Sequence, residues 1–441
     1  MQAPVLDFIG IGLGPFNLSL ASLAQPLPRL NGLFLDMSDQ FNWHPGMLLD
    51  GTTMQTPFMA DLVTLADPTS RYSFLNYAKS SGRLYAFCIR EDFFLLRQEY
   101  NQYCQWVARQ LPNLRFNQFV QFAHYDESAR CYELLGLCTR TGKQTTYRAR
   151  RLVLGTGTHP WLPECCEGLR KHLIHSADYL PHRNRLLDKQ EIAVVGSGQS
   201  AAEIFYDLLR ERPRHGFGLS WITRSPRFFP LELTKLTLEM TSPDYIDYFH
   251  ALPAAKRDRL LEEQKALYKG INRSLIDAIF DELYKQRLQG LPDVALHTNT
   301  ALRCVHRDPR SGRFELTLHH AEQGVEHRLQ CDGLVAATGY AYRQPAFMEG
   351  IEARLRRDPQ GRLAVARNYS VDLHGREIFV QNAELHTHGF TAPDLSMACY
   401  RNSVILREML GEAPYPIEER IAFQQFGALG SRQPLREPAC N

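Results

Sequence analysis

Ten cysteines are scattered through the 441 residues, and no two stand at Cys-x-x-Cys spacing. That absence argues against a redox dithiol or a thiolate metal site, so reduced thiols are expected. His386 and His388 form a close pair, but no third ligand accompanies them at a suitable spacing, and no metal is expected. No run of about 18 apolar residues occurs, so no membrane-spanning helix is expected. The charge is nearly balanced, 50 Lys and Arg against 48 Asp and Glu, for a net of +2. So small a surplus gives no electrostatic case for nucleic acid or an anionic membrane. A first strand starting almost at Met1 leaves no room for a signal peptide, and a cytoplasmic location is expected.

What is present is a repeated pattern. The apolar run Val5-Leu6-Asp7-Phe8-Ile9 stops at Gly10-Ile11-Gly12-Leu13-Gly14-Pro15 and restarts as a helix. This is the opening of a dinucleotide-binding βαβ unit, whose glycines let backbone approach a pyrophosphate at a helix N-terminus. Read this way, Pro15 fills the place usually held by Gly or Ala, which proline tolerates in a first helical turn. The second strand, Leu33-Phe34-Leu35, ends in Asp36, at the spacing where a carboxylate accepts from ribose hydroxyls.

The order then recurs. Glu191-Ile192-Ala193-Val194-Val195 leads into Gly196-Ser197-Gly198-Gln199-Ser200-Ala201, a full G-x-G-x-x-A. Each half ends in a strand and threonine–glycine turn, Leu154-Gly155-Thr156-Gly157 and Ala337-Thr338-Gly339-Tyr340. Two nucleotide units in one chain imply two nucleotides that meet, and a flavin with a nicotinamide is the natural pair for hydride transfer. Arg224, taken as the counterpart of Asp36, suits a 2′-phosphate and points to NADPH. The expected fold is α/β, with two Rossmann-like domains for FAD and NADPH and a small, mainly helical substrate domain. The expected divisions are residues 1–165 and 333–427 for FAD, 166–227 and 291–332 for NADPH, 228–290 for the helical insertion, and 428–441 as a flexible tail.

Local expectations are more detailed. The stretch Met54 to Leu62 is too irregular for a regular element and could wall a flat polar ring. Phe93 to Leu111 has helical periodicity, with Leu96, Tyr100, Tyr103 and Val107 as core positions. In the insertion, 256–268 and 274–288 are predicted helices, the second opened by a Ser274–Asp277 pair resembling a capping box. Leu275, Ile276, Ile279, Phe280 and Leu283 form its apolar face. A helix is predicted from Leu395 to Leu410.

Together, Asp7 to Gly12, Trp43-His44-Pro45-Gly46-Met47, Met54-Gln55-Thr56, Val195 to Ala201 and Ala337 to Tyr340 resemble the N-hydroxylating flavin monooxygenases of hydroxamate-siderophore biosynthesis. The likeness to lysine and ornithine N-monooxygenases runs from about residue 5 to 412, and is nearest to the putrescine and cadaverine N-monooxygenases of the alcaligin and desferrioxamine type. The resemblance implies an FAD enzyme, reduced by NADPH, that binds O₂ as a flavin C4a-hydroperoxide and transfers one oxygen to a neutral terminal amine. It implies flavin-mediated chemistry with no firm catalytic side chain; Met54 and Gln55 would lie near the flavin. FAD would be held by Gly10, Gly12, Gly14, Pro15, Asp36, Trp43, His44, Gln55, Val120, Pro393, Asp394 and Leu395. NADPH would fall on Gly196, Gly198, Gln199, Ser200 and Arg224, and substrate on Ala60, Leu238, Asn272 and Ser396. A homo-oligomer, tetramer or dimer, is also implied.

Two positions depart from the amino-acid hydroxylases. Those read Phe-Leu-Lys-Asp-Leu where this chain reads Phe58-Met59-Ala60-Asp61-Leu62, and their lysine helps hold the substrate α-carboxylate. Leu238 stands where ornithine hydroxylases carry a polar Asn. A buried carboxylate without its cation loses a charge-assisted partner, whereas a decarboxylated diamine loses nothing. The expected substrate is therefore cadaverine or putrescine, its far ammonium beside Glu239, Asp244, Glu384 or Asp394. The alternative is L-lysine N6- or L-ornithine N5-hydroxylation, with Lys235 or Lys269 replacing the missing cation. A non-catalytic flavin redox sensor is the reading from a different class.

Overall fold

The computed structural model describes residues 4–428; apart from Ala428, the expected tail lies outside them. Two five-stranded parallel sheets carry the two glycine turns. The first runs in the order Ile378–Val380, Leu152–Leu154, Phe8–Ile11, Gly32–Leu35, Leu114–Arg115. The second runs Ile174–His175, Gly333–Ala336, Glu191–Val195, Gly218–Ile222, Ala295–His297. Phe8–Ile11 and Gly333–Ala336 are buried throughout, and Glu191–Val195 after its first residue. Covered parallel strands require such continuous apolar runs.

The internal repeat holds down to single hydrogen bonds. Gly12 N–H donates to Leu35 O (2.8 Å), as Gly196 N–H does to Ile222 O (3.0 Å). Gly155 N–H donates to Ile11 O and Ala337 N–H to Val195 O, both at 2.8 Å. Beyond the second strands, Ser38 N–H donates to Asp36 Oδ1 (2.7 Å) and Ser225 N–H to Thr223 Oγ1 (3.1 Å). The matching asparagines Asn117 and Asn299 even share a left-handed backbone, φ 57° and 51°.

These equivalences correct the expected register at two places. Gly12 and Gly14, not Gly10 and Gly12, match Gly196 and Gly198, and Asn17 rather than Pro15 takes the place of Ala201. Pro15 is the first residue of the helix Pro15–Ala24, with Gly14 at its cap. Gly10 lies inside the strand, where a Cβ would come within 2.3 Å of the Phe34 ring. Likewise the counterpart of Asp36 is Thr223, and Arg224 stands one residue further on.

An antiparallel unit is inserted before each half's closing strand: 118–126, 131–138 and 144–149 ahead of Leu152–Leu154, with Val5–Leu6 added as a parallel edge, and 300–307, 314–320 and 325–331 ahead of Gly333–Ala336. Other local expectations change as well. Thr53–Pro57 is a strand paired antiparallel with Phe94–Leu96, so the region is not wholly irregular. The following helix therefore begins at Arg97, and Leu96 is exposed while Tyr100, Tyr103 and Val107 are core. The long insertion helix is Arg273–Leu288, with Asn272 at its cap and no side-chain capping bond, so Ser274 does not form the expected box. On that helix Ile279 is buried but Phe280 faces out. Within 256–268 the helix breaks at Gln264, giving Ala254–Glu263 and Lys265–Lys269. The terminal helix opens with a 3₁₀ turn, Leu395–Met397, and continues as Ala398–Leu410.

Candidate active site

At the first glycine turn the chain doubles back with Gly12 at φ +85°, and a Cβ there would sit 2.4 Å from Gly155 O. Only glycine fits such a turn. Asn17, buried, fastens it: Nδ2 donates to Gly12 O (2.7 Å), and Oδ1 accepts from Gln381 Nε2 (2.9 Å). Asp36 Oδ2 accepts from Leu13 N–H at 2.6 Å, so the carboxylate stands over the turn. The helix start has no side-chain cap, which leaves N–H groups and the positive dipole end for an anion. These features fit a dinucleotide pyrophosphate and its ribose.

The second turn is built alike. A Cβ at Gly196 would lie 2.3 Å from Ala337 O, and the Gly198 cap of the helix Gln199–His215 has no side-chain partner. Trp221 Nε1 holds Gly196 O at 2.8 Å, the role Asn17 plays in the first turn. Two cations gather here. Arg224 is exposed, and Lys269 has its ammonium pKa pushed down by burial, then by the nearby positive charges of Lys265 and Arg224. Neither forms an ion pair among the described residues. Two cations without an ion pair among the described residues, beside a glycine turn, fit a nucleotide with an extra phosphate. The backbone carbonyl of Lys269, 3.5 Å from a Cβ built at Gly198, sets this residue on the nucleotide side and not beside a substrate carboxylate.

Between the turns, side chains from all three parts of the chain join in one network. Gln55 Nε2 donates to Asn272 Oδ1 (3.0 Å) and to Gly270 O (3.2 Å). Asn272 N–H donates to Gln199 Oε1 (2.8 Å), and Gln199 Nε2 donates to Glu203 Oε1 (2.9 Å). Arg97 closes the chain, meeting both Glu203 oxygens at 2.7 and 2.8 Å and Met47 O at 2.7 Å. The side chains of Arg97 and Glu203 are 11% and 1% exposed. Such a bidentate, buried pair fixes geometry as well as charge. A cavity of about 760 Å³ opens beside it, lined by Thr53, Gln199, Glu203 and Asn272 among others. His44, exposed and at φ 49°, stands between the rings of Trp43 (4.7 Å) and Tyr340 (5.6 Å). Surrounding protein and the Arg97 charge lower its pKa to about 4, so the imidazole is neutral.

Ala60 is buried. Asp61 next to it accepts from Val63 N–H, Thr64 N–H, Thr64 Oγ1 and Phe74 N–H. It is a structural staple with no free oxygen for a substrate. Asp61 O faces the Cys399 thiol at 3.9 Å, bringing the Ala60 segment to the start of the terminal helix. Ser396 lies there, bonded through N–H and Oγ to Asp394 Oδ1, both at 2.8 Å. Met54 and Leu395 belong to the same apolar cluster. Gln55 thus meets Asn272, and separately the Ala60 segment meets the start of the terminal helix, next to Ser396. Val120 is buried in an accessory strand and Pro393 is exposed. Leu238 is 44% exposed on the short helix Lys235–Leu238, outside this cluster of contacts.

Three of the four carboxylates expected to hold a far ammonium are engaged elsewhere. Glu239 accepts from Phe423 and Gln424 N–H, and Asp244 from Ile421 and Ala422 N–H, strapping the C-terminal segment to the insertion. Glu384, fully buried, pairs with Arg401 at 2.9 Å. Asp394 keeps its second oxygen without a hydrogen bond among the described residues. No group of His, Cys, Asp and Glu suited to a metal occurs among the described residues, where every cysteine is a free thiol.

The family model described as L-lysine 6-monooxygenase/L-ornithine 5-monooxygenase matches residues 4–342. The chain belongs to this family. Within it, the chain is 52% identical to a putrescine N-hydroxylase of Shewanella oneidensis over 98% of its own length and 86% of the relative's. It is 50% identical to the alcaligin biosynthesis enzyme of Bordetella pertussis, covering 97% and 92% of the two chains. The solved FAD-bound cadaverine monooxygenase of the desferrioxamine pathway of Erwinia amylovora superimposes with a TM-score of 0.95 at 57% identity, covering 97% of this chain and all of that one. As an N-monooxygenase of this family, the chain has the two-Rossmann architecture expected of it. Arg97, Glu203, Asn17 and Lys269 were not singled out by sequence as site residues. Arg97 and Glu203 lie far apart in the chain and become partners only in the fold.

Proposed function

We propose that this N-monooxygenase hydroxylates one terminal amine of a diamine, cadaverine or putrescine, in the first step of hydroxamate siderophore assembly. The reading is supported by the diamine-hydroxylase and siderophore names of its relatives, and chiefly by Ala60, which offers a methyl group where a carboxylate-bearing substrate needs a cation. Lys235, the other proposed replacement, is exposed on the outlying short helix. FAD, reduced by NADPH, supplies the activation of O₂ from which one oxygen atom passes to nitrogen.

The residues divide the remaining tasks. Gly12, Gly14 and the first turn of the following helix bind the FAD pyrophosphate, with Asp36 on the ribose. Gly196 to Ser200 bind the NADPH pyrophosphate, and Arg224 with Lys269 take the 2′-phosphate. Gln55 and Asn272, locked to one another, orient the reacting end of the diamine. Met54, Ala60 and Leu395 keep water from that end. An alkylammonium near pKa ~10.4 has no lone pair to offer, and desolvation lowers that value and favours the neutral amine. Asp394 holds the distal ammonium through its unused oxygen. The strand Gly333–Ala336 lies in the second sheet, so the expected boundary at 333 moves: we assign 1–165 and 338–427 to FAD binding, 166–227 and 291–337 to NADPH, and 228–290 to the substrate insertion, in a homo-oligomer.

The test is NADPH oxidation and hydroxylamine formation measured together on the FAD-loaded enzyme with cadaverine and putrescine. Stoichiometric hydroxylamine with at least one diamine is expected. NADPH consumption with no amine-dependent product would favour the redox sensor.

A further inference from the structure

The long insertion helix, Arg273–Leu288, has two apolar faces. One packs inward: Leu275, Ile276, Ile279 and Leu283 lie against the cluster around Phe205 and Trp221, and Gln286 Nε2 donates to Leu209 O at 2.7 Å. The other has no cover within the described protein. Phe280, Tyr284 and Leu288, spaced four apart, are 66%, 60% and 72% exposed. Residues at that spacing form one continuous stripe along a helix. A helix already docked by its opposite side has no intramolecular need for a second apolar face, and such stripes mark contacts with other molecules.

The charges beside the stripe say which kind of molecule. Asp277 and Asp281 lie toward the N-terminal end, and Lys285 and Arg287 toward the C-terminal end. An anionic lipid surface would be repelled by the first pair. An identical helix laid antiparallel sets acid against base at both ends, and a two-fold axis crossing the helix produces that arrangement. Of the charges' present partners, Arg273–Asp277 at 3.9 Å and Arg287–Asp293 at 3.0 Å are exposed pairs that a second copy can displace, while Lys285, itself exposed, reaches back 3.3 Å to the largely buried Glu282.

We propose that Phe280, Tyr284 and Leu288 form the contact of a two-fold dimer of this chain. Tyr284 lies at the axis beside its own copy, Phe280 packs on Leu288 of the second copy, and Asp281 faces Lys285. This deepens the homo-oligomer reading above by naming the surface. The same helix begins at Asn272, which bonds Gln55 and Gln199, so the dimer contact braces the element that carries a site residue.

The test uses the full-length, FAD-loaded enzyme in sedimentation experiments over a wide dilution series. Tyr284→Asp is expected to weaken self-association by about 30-fold or more, the loss typical of a central aromatic contact. Circular dichroism and FAD content should stay unchanged, because the residue is exposed. Asp281→Lys and Lys285→Asp should each weaken the dimer, and the double variant should restore it. Tyr284→Cys should form a disulfide-linked dimer under mild oxidation, above the wild-type background from exposed Cys88 and Cys304, whereas Ser274→Cys should not. An oligomer unaltered by Tyr284→Asp and by both charge reversals overturns the proposed surface while leaving oligomerisation standing. A wild type that is monomeric at every concentration overturns both.

Discussion

An α-carboxylate brought beside Ala60 would meet a methyl group, a backbone N–H already donating to Pro57 O at 2.9 Å, and an Asp61 whose oxygens accept four bonds. Neither residue offers it a cation or a spare donor, and an unpaired buried carboxylate costs several kcal/mol. Introducing a cation should therefore act against a dication. Ala60→Lys is expected to raise the diamine KM about 10-fold or more, since like charges at close quarters cost over 1 kcal/mol at intermediate dielectric. Unchanged diamine kinetics would show that Ala60 does not line the pocket. At the second glycine turn, Lys269→Gln should raise the KM for NADPH while barely altering that for NADH or for amine. A shift of the amine KM alone would move Lys269 back to the substrate side.

Glycines show what single residues reveal and conceal. Gly10, Gly12 and Gly14 fit the fingerprint in either of two registers, and sequence offers no means of choosing between them. The choice is made by Phe34, whose ring occupies the space beside Gly10, and by Asn17, whose amide ties Gly12 and Gln381. Spacing points to Arg224 one residue away from the true counterpart of Asp36 for a related reason: strand register defines that counterpart as Thr223. The chemistry of Arg224 survives the correction because it still borders the turn, now joined by Lys269.

At the scale of elements, the Arg97–Glu203 pair joins the helix Arg97–Ala108 to the second nucleotide helix, Gln199–His215. Breaking one side leaves a charge buried and unpaired. Glu203→Gln is expected to cost about 3 kcal/mol in chemical denaturation, and to raise the NADPH KM because Gln199 loses its anchor. Stability within experimental error of wild type would show that the pair is not formed in solution. The strand Thr53–Pro57 was missed because its polar, thioether and proline residues lack strand alternation, and its partner Phe94–Leu96 lies far along the chain.

Three histidines, His250 of the insertion and His386 and His388 of the short helix Leu385–His388, face the segment 363–367. His250, His386 and His388 point ring nitrogens at the carbonyls of Val365 (3.1 Å), Leu363 (2.8 Å) and Arg367 (3.4 Å). Burial, the largest influence, holds all three below the ordinary 6.5, and neighbouring arginines push the same way. The unfolded chain therefore takes up protons below about pH 6.5 that the folded protein refuses. Stability should be full above that pH and fall as the solution is acidified, by up to ~1.4 kcal/mol per pH unit for each histidine. His388→Gln should make that decline shallower, read from melting temperature against pH. An equal slope in the variant would place the acid sensitivity elsewhere.

For the whole molecule, the duplication was the most legible feature, since two turns, two strand series and two closing Thr-Gly segments recur in order. The parallel sheets bear it out bond for bond. What could not be read was how the halves and the insertion meet, because Gln55, Asn272, Gln199, Glu203 and Arg97 acquire their relation only through tertiary packing. The measurement that bears most directly on the proposed function compares substrates differing by one carboxylate. Cadaverine against lysine, and putrescine against ornithine, should be assayed for hydroxylated product on the same enzyme preparation. A kcat/KM at least about 100-fold higher for the better diamine than for its amino acid is expected, the equivalent of losing about 3 kcal/mol to an unpaired buried carboxylate. Equal or greater efficiency with lysine or ornithine would contradict the diamine assignment.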